Sequence, residues 1–130
     1  CSFLTEMSSL ETLELDYNNT DIDPKVLSQL VQLKTLRLSN NDILNISFLK
    51  NLTQLETLDL NTNAITDLTP LGSLSNLEYL ILSNNSFKSI EALKGLTKVK
   101  GLDLYSCEIP VEEVRALEKK LPDTNILFNE

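Results

Sequence analysis

Leu33, Leu55, Leu77 and Val99 stand 22 residues apart over three successive intervals, and the residues behind each repeat one order of apolar and polar types. A fixed period of this length allows few architectures, because each period is a unit that cannot bury its own apolar face and must stack on its neighbours. The unit is clearest from Leu55 to Asn76, LETLDLNTNAITDLTPLGSLSN. Leu58 and Leu60 flank one polar residue, the period-two alternation of a short strand with one buried face. Ile65, Leu68, Leu71 and Leu74 then fall three apart, so the chain turns back through turns or short helical pieces. Stacked units of this kind pair their strands into a parallel sheet over one elongated core.

Asn63 repeats as Asn18, Asn41 and Asn85, with Cys107 in the fifth place, where each strand bends into its return segment. Such a bend leaves backbone donors and acceptors unpaired, and a stack of amide side chains can satisfy them. The spacing therefore predicts an asparagine ladder.

The pattern LxxLxLxxNxI is carried by Leu33, Leu36, Leu38, Asn41 and Ile43, and again by Leu55, Leu58, Leu60, Asn63 and Ile65. It returns as Leu77, Leu80, Leu82, Asn85 and Phe87, then as Val99, Leu102, Leu104, Cys107 and Ile109. In this the chain resembles leucine-rich repeat proteins, and the wording NAITDLTPLGSLSNLEYL resembles the 22-residue internalin-like repeats of Gram-positive cell-surface proteins. The resemblance implies an α/β solenoid, a right-handed coil with a parallel concave β-sheet. It spans nearly the whole chain and specifies fold more narrowly than partner.

Residues 1–109 are expected to form the repeats, with a partial first coil at 1–9 and coils starting at 10, 33, 55, 77 and 99. Cys1, Leu4 and Met7 occupy the places of Ile46, Leu49 and Leu52, so the sequence opens in mid-coil, as an excised piece of a longer protein would. Internalin-like proteins carry a helical cap at that end, which this sequence lacks. In the coil from Leu10, Thr20 replaces the usual isoleucine and the next coil starts after 23 residues. Asp23 and Pro24 make a helix-opening pair, and Val26, Leu27 and Leu30 an apolar face, which predicts a helix at 24–31.

Residues 110–130 are expected to form a C-terminal helix-strand cap. Val114, Leu117 and Leu121 share one helical face, with Glu112 and Glu113 near the start and Lys119 and Lys120 near the end, which predicts an α-helix at 110–121. Ile126 lies 22 residues after Leu104 and places a last strand at ILF. Internalin-like proteins typically continue into an immunoglobulin-like region instead, so the resemblance weakens here. LPDTN at 121–125 resembles the LPxTG wall-sorting signal, but Asn125 replaces the glycine, and a proline turn into the last strand accounts for the same residues.

Composition narrows the function. A formal charge of −8 opposes tracking of a nucleic-acid backbone or an anionic membrane, and no run is long and apolar enough to span a bilayer. With no histidine, His-dependent triads and histidine metal sites are excluded. Gly72, Gly95 and Gly101 build no phosphate loop, and the acidic run at 16–23 lacks the glycine and glutamate of a calcium loop. Cys1 and Cys107 lie several coils apart and read as buried thiols rather than a disulfide. Sequons at Asn18, Asn45, Asn51 and Asn84 are expected by chance in a chain this rich in Asn, Ser and Thr. No enzymatic activity, cofactor or metal is expected.

Strand alternation assigns three outward columns. They are Thr12, Thr35, Thr57, Tyr79 and Gly101; Glu14, Arg37, Asp59, Ile81 and Asp103; and Asp16, Ser39, Asn61, Ser83 and Tyr105. Tyr79, Ile81 and Tyr105 stand out as an apolar patch rimmed by Asp59 and Asp103, with Arg37 breaking the acidity toward the N-terminal end. Exposed tyrosines around an aliphatic centre have hot-spot character, and Gly101 beside Tyr79 is expected to leave a gap for a partner side chain.

The resulting expectation is a monomeric, non-enzymatic protein-interaction module of a bacterial surface or secreted protein, binding a protein ligand on its concave sheet. Two alternatives are a structural spacer and a cytoplasmic scaffold of the phosphatase-regulator leucine-rich type, since 22-residue repeats also occur there. The sequence names no nucleic-acid partner and no membrane insertion.

Overall fold

Six three-residue strands form one parallel sheet in chain order: β1 (Thr12–Glu14), β2 (Thr35–Arg37), β3 (Thr57–Asp59), β4 (Tyr79–Ile81), β5 (Gly101–Asp103) and β6 (Asn125–Leu127). The structure, a computed structural model, describes residues 10–16, 23–87 and 89–128. The expectations for Cys1, Leu4, Met7, Asn18 and Thr20 fall outside those residues. Leu13, Leu36, Leu58, Leu80, Leu102 and Ile126 stack in register along the inner face of the sheet. All but Ile126 are buried, and with Leu38, Leu60, Leu82 and Leu104 they form the sheet side of one core.

Opposite the sheet, the return segments are 3₁₀ helices at Ser47–Asn51, Thr69–Ser73 and Glu91–Gly95, with Leu49, Leu71 and Leu93 fully buried. Each opens on a bond that recurs every 22 residues. The backbone N–H groups of Lys25, Ser47, Thr69 and Glu91 donate to the side chains of Asp23, Asn45, Asp67 and Ser89, at 2.8–3.2 Å. This second polar column repeats an oxygen acceptor rather than a residue type.

Asp67 shows its electrostatic side. The Thr69 backbone N–H, and then the Thr69 hydroxyl, hold its carboxyl below the ordinary aspartate range, against a lesser opposing effect of burial. A depressed folded-state pKa stabilises above the unfolded value and is lost as pH falls through the folded one. Asp67→Ala is therefore expected to lower the melting temperature at pH 7, and the gap from the parent should close as pH falls below about 3.9. Thermal melts across pH check this.

The expected helix at 24–31 is shorter. α1 covers Pro24–Leu27 and then relaxes into turns, with Gln29 N–H on the Val26 carbonyl and Leu30 N–H on the Leu27 carbonyl. Leu27, Leu30 and Leu33 are all buried, and the Leu33 N–H donates to the Leu30 carbonyl, so single three-residue turns in place of α-helix carry the chain along the core to the next strand. α2 covers Val111–Lys120, with its acidic first turn, basic last turn and buried Val114 and Leu117 as expected.

The last strand corrects the register. Ile126 pairs with Leu102, not Leu104, a spacing of 24 rather than 22 residues, because the ten-residue α2 replaces a five-residue 3₁₀ return. The shift is even, so β6 keeps the same faces. Within LPDTN, Leu121 is buried and the Thr124 hydroxyl donates to the Val99 carbonyl at 2.6 Å.

The asparagine ladder is present where the structure describes it. Asn41 Nδ2 donates to the Leu15 and Leu38 carbonyls, Asn63 Nδ2 to those of Leu38 and Leu60, and Asn85 Nδ2 to those of Leu60 and Leu82, all at 2.7–3.1 Å. In return, Asn63 Oδ1 accepts from the N–H groups of Asn41 and Ile43, and Asn85 Oδ1 from that of Ile65. Cys107 Sγ donates to the Leu82 carbonyl at 3.1 Å in the fifth place. Burial pushes that thiol up in pKa, outweighing the opposing effect of the Asn85 and Asn84 backbone N–H groups, which keeps it a protonated donor.

The residue before each ladder position is left-handed: Asn40, Thr62, Asn84 and Ser106 have φ of 60°, 56°, 59° and 58°. A β-branched residue is strained there, whereas asparagine tolerates it. Thr62→Asn is expected to stabilise the domain by about 0.5–1 kcal/mol, read as a raised denaturation midpoint.

Candidate functional site on the concave sheet

The pairing register fixes which outward side chains are neighbours. Thr12, Thr35, Thr57, Tyr79, Gly101 and Asn125 form one row, and Glu14, Arg37, Asp59, Ile81, Asp103 and Leu127 the next. The third row is different from its expected character. Asp16 Oδ1 accepts from both the backbone and the hydroxyl of Ser39, and Ser83 Oγ donates to Asn61 Oδ1 at 2.8 Å. Ser39 and Ser83 are buried, so these residues tie coils together rather than face a partner.

Tyr79 and Ile81 lie two apart on β4 and share its outer face, with Tyr79 48% exposed and Ile81 half-buried. Tyr105 is 53% exposed and follows β5 by two residues, beyond Asp103, which sits directly beside Ile81. The expected gap at Gly101 is filled. A Cβ there would lie 3.2 Å from Tyr79 Cδ1, so the tyrosine ring covers the glycine and Gly101 is what lets it lie close to the neighbouring strand. The site is a surface, not a slot.

The acidic residues do not form a uniform rim. Asp59 is half-neutralised: Arg37 Nη1 lies 3.5 Å from its Oδ2, and its Oδ1 accepts from the Asn61 backbone. Arg37 thus serves Asp59 rather than standing free toward a partner. Asp103 accepts the Tyr105 N–H at 3.0 Å and has no cation against it among the described residues. Its position is also not peripheral, since Ile81 flanks it on one side and Leu127, 52% exposed, on the other.

Leu127 was not among the residues expected here. The two-residue alternation from Ile126 points to it as an outward residue of the sixth strand. With it, a shallow groove runs across the end of β5 and β6, lined by Ser83, Asp103, Tyr105, Ile126, Leu127 and Phe128. Among the described residues no cluster of ligating side chains suited to a metal occurs, and no helix is long and apolar enough to cross a membrane.

Comparison with known proteins gives a consistent picture. A family model described as Leucine Rich repeats (2 copies) matches residues 31–73 and 75–119. No curated protein matches the chain. Among solved structures, internalin C2 of Listeria monocytogenes superposes with a TM-score of 0.84 at 29% identity, covering 98% of this chain and 55% of that one. An internalin F structure from the same organism gives 0.76 at 22% identity, covering 98% and 45%, a likeness of fold alone. The leucine-rich repeat ectodomain of the receptor kinase SOBIR1 from Arabidopsis thaliana gives 0.67 at 27% identity, covering 89% and 67%. The chain spans about half the length of the internalin structures it matches.

Proposed function

The chain belongs to the leucine-rich repeat family, in its internalin-like form, and from that premise we propose that it is a non-enzymatic module binding a protein ligand on its concave sheet. The family's fold suggests protein–protein interaction in general. The particular face is supported by one observation: Tyr79 and Tyr105 stand half-exposed around Ile81 in rows otherwise filled mainly by small or charged side chains.

Large aromatic side chains on a rigid strand bury much area on binding at low entropic cost, which is the chemistry of interface hot spots. A surface or secreted location in a bacterium is part of the same reading, supported by the likeness to internalin C2.

The test is affinity capture from lysates of the source organism and of host cells. The parent is compared with Tyr79→Ala, Ile81→Asp and Tyr105→Ala combined, both first shown to melt alike. A partner held by the parent and lost by the variant supports the concave site. Partners kept equally by both would overturn it, and no partner for either would favour a spacer.

A further inference from the structure

We infer that the groove between Tyr105 and Leu127 receives a cationic side chain, arginine or lysine, of the protein ligand, with Asp103 as the residue that selects it. This deepens the concave-face reading and rests on it.

The argument starts from Asp103 itself. A strand-end aspartate here accepts the backbone N–H two residues on, as Asp59 does from Asn61 and Asp103 from Tyr105, so both have a structural task for one oxygen. They differ in the second oxygen. That of Asp59 lies against Arg37, whereas Asp103 lies between Ile81 and Leu127 with no ion pair among the described residues. A half-buried carboxylate set among apolar side chains loses hydration when a partner covers it, and that cost is offset only if the partner brings a positive charge.

The groove's lining suits such a residue. Asp103 lines it together with Leu127 and Phe128, whose apolar surface the methylenes of a long basic side chain can lie along. Tyr105 lines the same groove and presents an aromatic ring near the cation, a favourable pairing for a guanidinium or ammonium group. A net charge of −8 draws basic partners to the whole molecule, and Asp103 gives that attraction a fixed address.

The probe is a phage-displayed library of random 12-residue peptides selected on the full 130-residue chain, followed by binding measurements on the recovered peptides. Asp103→Asn removes the charge but keeps an oxygen for the Tyr105 N–H. Glu118→Gln removes the same charge from the exposed side of α2 and controls for bulk attraction. The expected result is peptides rich in Arg or Lys beside apolar residues, weakened at least tenfold by Asp103→Asn, at least as much by Tyr105→Ala, and less than twofold by Glu118→Gln.

Peptides that need Tyr79 and Tyr105 but are indifferent to Asp103→Asn would overturn the cation inference and leave the concave-face reading standing. Equal losses with Asp103→Asn and Glu118→Gln would reduce the effect to bulk charge and overturn it too. Peptides indifferent to the tyrosines, or none recovered, would count against both.

Discussion

Asn85→Ala is expected to destabilise the domain by about 3–4 kcal/mol, enough to lower its melting temperature by roughly ten degrees. The side chain is 3% exposed and makes bonds in both directions. Its Nδ2 donates to the carbonyls of Leu60 and Leu82, and its Oδ1 accepts from the Ile65 N–H. Alanine leaves the Ile65 N–H unsatisfied in a dry bend, at about 1–3 kcal/mol, and takes one bond from each carbonyl, at about 0.5–1.5 kcal/mol apiece, since Leu60 keeps Asn63 Nδ2 and Leu82 keeps Cys107 Sγ.

Asn63→Ala removes equivalent bonds from a half-buried position that water can reach, so it should cost less than Asn85→Ala. Chemical denaturation of both variants checks the order as well as the size. If both cost under about 1 kcal/mol, the amides are spectators and the leucine core alone holds the coils.

Against a purified ligand, the double variant Tyr79→Ala and Tyr105→Ala is expected to weaken binding at least a hundredfold. A hot-spot aromatic contributes about 2 kcal/mol or more when truncated, and two of them on one rigid surface give a change of that order. Stability should change little by comparison, because both rings are about half in water in the free protein. Titration calorimetry with the two proteins, alongside melts of each, separates a lost contact from a lost fold. A loss under fivefold would move the binding surface away from these strands.

Much of this was legible in the sequence, for physical reasons that differ by feature. Leu36, Leu58, Leu80 and Leu102 announced the sheet because burial on one strand face demands an apolar residue at one register, and few residue types meet that demand. The ladder was legible because the amide of Asn41, Asn63 and Asn85 carries both the donor and the acceptor that the bend calls for. Asp23, Asn45, Asp67 and Ser89 hid in plain view, since a single acceptor atom suffices at their position and three residue types supply it.

The candidate site was partly legible. The outward rows followed from alternation, so Tyr79, Ile81 and Asp103 fell on one face, as β4 and β5 place them. What the rows could not carry was side-chain direction: Tyr79 leaning over Gly101, Arg37 drawn to Asp59, and Ser39 and Ser83 pulled inward by hydrogen bonds. Leu127 was legible too, since alternation from Ile126 puts it outward and the even two-residue shift of β6 does not change its face; only its pairing with Asp103 needed the structure.

The ladder bonds are not symmetric along the chain. Asn85 reaches back to Leu60 and Ile65, and Asn63 to Leu38, Asn41 and Ile43, so a bend is finished by the asparagine of its successor. Shortening the array from its N-terminal end leaves each remaining bend with its partner. Shortening it from the other end exposes the donors and acceptors of a bend whose completing residue has gone. The two ends of the solenoid are therefore not equivalent: the same cut costs more backbone hydrogen bonds at the C-terminal end than at the N-terminal one.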